Sequence, residues 1–261
     1  MPLSDSELQD LRLARRLFEN PGLAARLSDV VGTPIERGLE LLPKRWNAVV
    51  MEAAGKAIER ALEVAISTMS HGETRAASNR WHKLLVGATG AAGGAGGLPA
   101  LSLELPLSTT IILRSIADIA RAEGEDLRTA EARVSCVQVL ALGGASEKDD
   151  ASEAGYFAAR AAMARAVSEA VRHITERGMT QQGAPAILRL ITAVASRFSI
   201  NVTQKAAAQA VPVVGAVGGA IINTLFIDHF QNMAQGHFIV RRLERVHGRE
   251  IVETAYGELE S

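Results

Sequence analysis

Residues Leu84–Ala120 read "LLVGATGAAGGAGGLPALSLELPLSTTIILRSIADIA". The thirty residues from Leu84 to Leu113 carry one charge, Glu104, and six of the eleven from Gly87 to Gly97 are glycine. Such a stretch is a membrane segment, a ligand-cradling loop or the close-packed centre of a helical protein. Gly87, Gly90, Gly94 and Gly97 step by three and four, so they share one helical face. Faces of small residues let two backbones approach closely, in bilayers and in soluble cores alike. Membrane insertion has the required length of roughly 20 residues. However, Leu84–Leu103 contains only six large aliphatic side chains, and Pro99 interrupts it. Nucleotide binding draws little support: the dinucleotide fingerprint needs a strand before its glycines, and none precedes Gly87. A helical hairpin packed inside the protein is the favoured reading, with insertion into lipid as its competitor.

A second stretch of the same kind follows, Ala206–Ile227, "AAAQAVPVVGAVGGAIINTLFI", with no charge in 22 residues. Gly215 and Gly219 again share a face. Around these two runs the signals are helical. "SDSE" at Ser4–Glu7 and "TPIE" at Thr33–Glu36 read as capping boxes, the second with Pro34 at the first helical position. Pro43 should stop the helix that follows Thr33. Ile58, Leu62, Ala65, Ile66 and Met69 line one face of a long amphipathic helix. Further helices are expected over Ile111–Ala122, Leu127–Leu142, Glu153–Thr175 and Pro185–Phe198. Ser108 or Thr109 should cap the first of these, and "GED" at Gly124–Asp126 should break the chain before the second. Gly143–Gly155 reads as a loop between two halves. Nothing alternates at period two for long enough to make a strand. The fold class is all-α: a single multi-helix domain with two central Gly/Ala-rich hairpins, one from each half.

Composition narrows the function. A net charge of −1 argues against a general nucleic-acid binder, which needs a basic domain. Aromatics make up 4%, so the core should rest on close helix approach more than on bulky filling. One cysteine, Cys136, leaves no intrachain disulfide and fits a reducing compartment. The charges along Met1–Asn20 leave no signal-peptide core. A cytoplasmic protein, peripheral on the inner face of a membrane, is the expectation.

The candidate polar site is Glu104, Arg114, Asp118 and Asn223. Arg114 and Asp118 lie four apart and can pair. With Glu104 they would form a buried clamp between the first hairpin and the next helix, or a cleft for an anion. Asn223 sits in an apolar run and must find a partner, expected on the first hairpin. His229 and His237 sit about 80° apart around one helix and so can face one cleft. Both are more readily explained as core or surface histidines. Ser108, Thr109 and Ser115 lack a GxSxG setting, and no spacing resembles a zinc site. No metal, cofactor or catalytic residue is assigned. Arg241, Arg242, Arg245 and Arg249 form a basic arc that suits an anionic membrane surface, or else an ordinary solvated face beside Glu244 and Glu250.

Trp81, the glycine-rich run, "ELPLSTTIILRSIADIA", "GEDL" and "CVQVLALG" closely resemble the EcsC protein family. "VPVVGAVGGAIINTLFIDHFQNMAQGHFIVRRLERVHG" (Val211–Gly248) resembles that family's second signature. The similarity spans Met51–Tyr256, which divides the chain into an N-terminal helical extension, 1–50, and an EcsC-like helical domain, 51–261. The resemblance implies a bacterial protein with a membrane-associated role linked to transport or secretion, and it carries over no catalytic residue. The expected function is then a peripheral, lipid-interacting accessory protein without chemistry of its own. Its expected partners are anionic lipid or a membrane transporter, not nucleic acid. The alternatives are a hydrolase-like enzyme built around Glu104, Arg114 and Asp118, and a homo-oligomeric scaffold joined through the glycine faces.

Overall fold

Local chemistry sets the helix ends. The computed structural model describes residues 3–19, 22–68, 104–143, 155–177, 184–211 and 215–259, and among them every regular element is helical. Helix α1, Asp5–Glu19, opens on the capping box: Ser4 Oγ accepts from the Glu7 amide at 3.4 Å and Glu7 Oε2 accepts from the Ser4 amide at 2.8 Å. Helix α2, Leu23–Val31, ends at Gly32, whose φ of 71° is the left-handed conformation that glycine adopts without strain. Helix α3, Ile35–Glu40, departs from the expected capping box. Pro34 is its cap residue rather than its first helical residue, and the Thr33 hydroxyl is buried without a partner. Ser28, reaching across from α2, accepts from the Ile35 amide at 3.0 Å.

Helix α4, Trp46–Thr68, buries Val50, Ala54, Ala57, Ile58, Ala61, Leu62 and Ala65 along one face, as its spacing requires. Helix α5 covers 104–122. It is already helical at Glu104, so Ser108 and Thr109 sit inside it and do not cap it; Ser108 Oγ instead donates to the Leu105 carbonyl at 3.2 Å. Gly124, at φ 80°, turns the chain. Helix α6, Ala130–Val139, takes its cap from Thr129, which accepts from the Ala132 amide. The remaining helices are α7 (Gly155–Arg177), α8 (Pro185–Ala210), α9 (Gly215–His247) and α10 (Arg249–Glu258).

Other expectations change in extent as well; the helix expected over Leu127–Leu142 contracts to Ala130–Val139. The helix that starts at Pro185 continues past Phe198 to Ala210, because Phe198, Val202 and Ala206 keep the buried stripe going. The uncharged run Ala206–Ile227 is divided between the end of α8 and the start of α9 by a bend at Val211. Met69, Gly87, Gly90, Gly94, Gly97 and the body of the Gly143–Gly155 loop lie outside the described residues.

Helices α8 and α9 organise the single domain. α8 packs against α2, α3, α4 and α7, while α9, about 50 Å long at 1.5 Å per residue, meets α1, α2, α6 and α10. The two long helices also touch each other, where Phe198, Phe226 and Phe230 lie with ring centroids 5.1–6.1 Å apart. Close approach does the rest. A Cβ on Gly236 would stand 2.6 Å from the Phe18 ring, and one on Gly38 would collide with the Ala207 carbonyl of α8.

Candidate functional site

The first polar cluster lies where α5, α8 and α9 meet. Glu104 Oε1 stands 2.6 Å from Lys205 Nζ and accepts from Asn223 Nδ2 at 2.8 Å. Lys205 is fully buried, Glu104 nearly so, and the ammonium sits 4.9 Å from the centroid of the Phe226 ring. Burial pulls the Lys205 ammonium below its ordinary value, while Glu104 pulls it back up. An isolated charge here would cost several kcal/mol; pairing, the Asn223 donor and the ring face are what make it tolerable.

Lys205 is the residue that sequence reasoning missed, and a signal for it exists. From Phe198 to Ile227 the chain has thirty residues and one charge, Lys205. That run mirrors Leu84–Leu113, where Glu104 is alone. Two solitary charges of opposite sign, each in an uncharged run, are natural partners in a shared core. Arg114, by contrast, is exposed on α5, and Asp118 pairs with Arg121 at 2.7 Å. The expected clamp therefore has a different cation, because Arg114 points away from the face that meets α8 and α9.

A second cluster surrounds His237. Its Nε2 lies 3.1 Å from Ser135 Oγ and its Nδ1 lies 2.8 Å from Tyr156 Oη. Arg160 donates to the same Tyr156 oxygen at 3.3 Å and forks onto Glu244 at 2.8 Å with both nitrogens. Both ring nitrogens are therefore engaged by hydroxyls, and the Tyr156 oxygen has lone pairs enough to accept from Arg160 with either imidazole tautomer. Burial also holds His237 well below the usual imidazole range, aided by Arg160 and Arg241, and Ser135 is 2% exposed. Ser135–His237–Tyr156 is thus a tie between α6, α9 and α7.

His229 faces the same neighbour as His237. Its ring bonds the backbone of Gly143, just past the end of α6, and burial lowers its pKa to about 4. The pairs 143/229 and 135/237 show α6 and α9 running antiparallel in register. Both rings are buried along this seam. The α5 pairs run the other way: Glu104 with Asn223, Ser115 with Gln231 (2.7 Å) and Glu123 with Arg242 (2.9 Å) make α5 and α9 parallel.

The arginine arc of α9 is engaged by acids. Arg241 binds Glu125 at 2.8 Å and Glu131 at 3.1 Å. Arg242 binds Glu123 at 2.9 Å and Asp10 at 2.8 Å. Arg245 pairs with Glu125 and donates to the Glu123 carbonyl, and Arg249 pairs with Glu253 at 2.8 Å within α10. Glu123 and Glu125, on either side of the Gly124 turn, each bind an α9 arginine. Of the glycines singled out within the described residues, Gly215 begins α9 and Gly219 is buried in it. Among the described residues no group of three His, Cys, Asp or Glu is placed to hold a metal.

A sequence model of the EcsC protein family matches residues 6–243. The matched span takes in α1, α2 and α3, which pack on α8 and α9. No curated protein and no solved structure matches the chain.

Proposed function

The chain belongs to the EcsC protein family, and from that premise we propose that it is a peripheral, lipid-interacting accessory protein without a catalytic centre of its own. The observation that carries this reading is the Glu104–Lys205 pair. Two thirty-residue runs, 84–113 and 198–227, hold one charge each, and those charges lie 2.6 Å apart. The sixty residues together carry no net charge. Paired ions are the form in which charge is least costly in apolar surroundings, whether core or lipid. Helix α8, which bears Lys205, is long and apolar enough to cross a membrane, while in this fold it is clasped by its neighbours.

The absence of chemistry is supported by how the reactive side chains are used. His237 is buried between the hydroxyls of Ser135 and Tyr156, and the α9 arginines are paired with carboxylates. Each is consumed in holding two helices together.

The test is flotation of protein purified without detergent, with vesicles of phosphatidylcholine and with vesicles that also contain phosphatidylserine. Co-migration with lipid is expected. Protein that stays at the bottom of the gradient with both vesicle types overturns the reading.

A further inference from the structure

We propose that His229 and Met233 of α9, facing Gly143, form a binding site for one soft monovalent cation, Cu(I). The two side chains lie four residues apart on one face of α9 and are 6% and 5% exposed. Gly143 packs opposite them with a φ of 73°. The place where a Cβ on Gly143 would stand is 2.7 Å from His229 Nε2 and 2.8 Å from Met233 Sδ. An imidazole nitrogen and a thioether sulfur therefore border the same small volume, and any side chain at 143 would press on both. Gly143 is itself exposed, so this volume lies one residue beneath the surface.

The state of the nitrogen points to an ion. His229 Nε2 is buried and has no hydrogen-bond partner, so the ring's bond to the Gly143 backbone belongs to Nδ1. That bond favours the protonated ring, which makes it an N–H donated to the carbonyl. An imidazole that gives Nδ1–H to a backbone carbonyl is held in the orientation that presents the Nε2 lone pair to a metal. A buried acceptor left without a donor is costly, and a bound cation satisfies it. Donor chemistry then selects the ion. Thioether and neutral imidazole are soft, uncharged ligands, and that set suits Cu(I). Zinc takes four ligands in a structural site, and among the described residues no group of three His, Cys, Asp or Glu is placed for it. The charges at the site are Arg26 and Asp228, paired at 3.1 Å. The Arg26 charge already opposes protonation of His229 and opposes a divalent ion more than a monovalent one. Both donors bind as they stand, so uptake releases no proton.

The experiment titrates the full chain, without oxygen, into Cu(I) held by the coloured chelator bicinchoninate, beside four variants. The parent should withdraw one Cu(I) per chain. Met233→Leu, which conserves volume, and His229→Gln should each lose at least about tenfold in affinity, the loss that even an outer partner of a metal ligand causes. Met163→Leu, at an equally buried methionine of α7, and Cys136→Ala should bind as the parent does. Ag(I), as a stand-in for Cu(I), should raise the melting temperature of the parent and leave that of Met233→Leu unchanged, because only the folded parent brings the two donors together. A parent that takes up no Cu(I) overturns the site, and so does parent-like uptake by Met233→Leu. Uptake that disappears in Cys136→Ala, or that releases a proton as a thiol must, places the ion on the cysteine and overturns the site as well. None of these results bears on vesicle flotation, so this proposal and the lipid reading stand or fall separately.

Discussion

Glu104 Oε1 and Lys205 Nζ lie 2.6 Å apart across the junction of α5, α8 and α9, with both side chains buried and their positions 101 residues apart in the chain. Removing either one leaves the other charged and unmatched in an apolar core. Glu104→Gln or Lys205→Met should therefore each destabilise by about 3–5 kcal/mol, while the double replacement by apolar residues should recover much of the loss. Chemical denaturation of the full double-mutant cycle reads the coupling. Arg114→Ala, at an exposed site, should move the midpoint by under about 0.5 kcal/mol. Additive losses in the cycle, with no recovery in the double variant, would remove the pair from its central place.

The arginines of α9 give a contrasting expectation. Replacing Arg241, Arg242 and Arg245 together with Gln strips the partners from Glu125, which is 5% exposed. The protein should lose on the order of 3 kcal/mol of stability. Vesicle binding, measured well below the new melting temperature, should keep the parent's salt dependence. A stable triple variant with a flattened salt profile would return this face to the membrane.

The buried histidines set a pH dependence of definite sign. His229 falls from 6.5 to about 4, and His237 also lies well below the ordinary value, both chiefly through burial. Between pH 6.5 and 4 the unfolded chain binds more protons than the folded one, so stability rises with pH across that window. It is fully present above about pH 6.5 and is lost as pH falls. For His229 alone, at 1.36 kcal/mol per tenfold in proton affinity, the loss is on the order of 3 kcal/mol. Urea midpoints measured from pH 7 to pH 4 should fall steeply, and His229→Gln should flatten part of that slope. A midpoint that stays level from pH 7 to pH 5 would show that neither imidazole is held neutral by the fold.

Close backbone approach can be tested at Gly38. A Cβ there meets the Ala207 carbonyl, so Gly38→Ala should cost roughly 1–3 kcal/mol through overpacking. At Gly55, inside α4, no atom stands within 4 Å of an added Cβ. Gly55→Ala should stabilise by up to about 1 kcal/mol through helix propensity. Thermal melts of the two variants should move in opposite directions. Movement in the same direction would mean that α3 does not press on α8 at this point.

The sequence by itself determined the elements. The 3.6-residue stripes of α4, the Ser4–Glu7 box, the glycine break at Gly124 and the need of Asn223 for a partner are all local statements. They depend on side chains within a turn or two of one another, or on the solvation of one group. The limits of local reading show at Thr33 and at Ser108. In one case the cap came from Ser28 on another helix; in the other the helix was already under way. What only the tertiary structure decided was which distant groups meet: Glu104 with Lys205, Glu123 and Glu125 with the α9 arginines, and His237 with Ser135 and Tyr156. Periodicity places a residue on a face, but it does not say which helix will cover that face. That choice follows from how the helices pack together, where each buried charge needs its partner because water has been taken away.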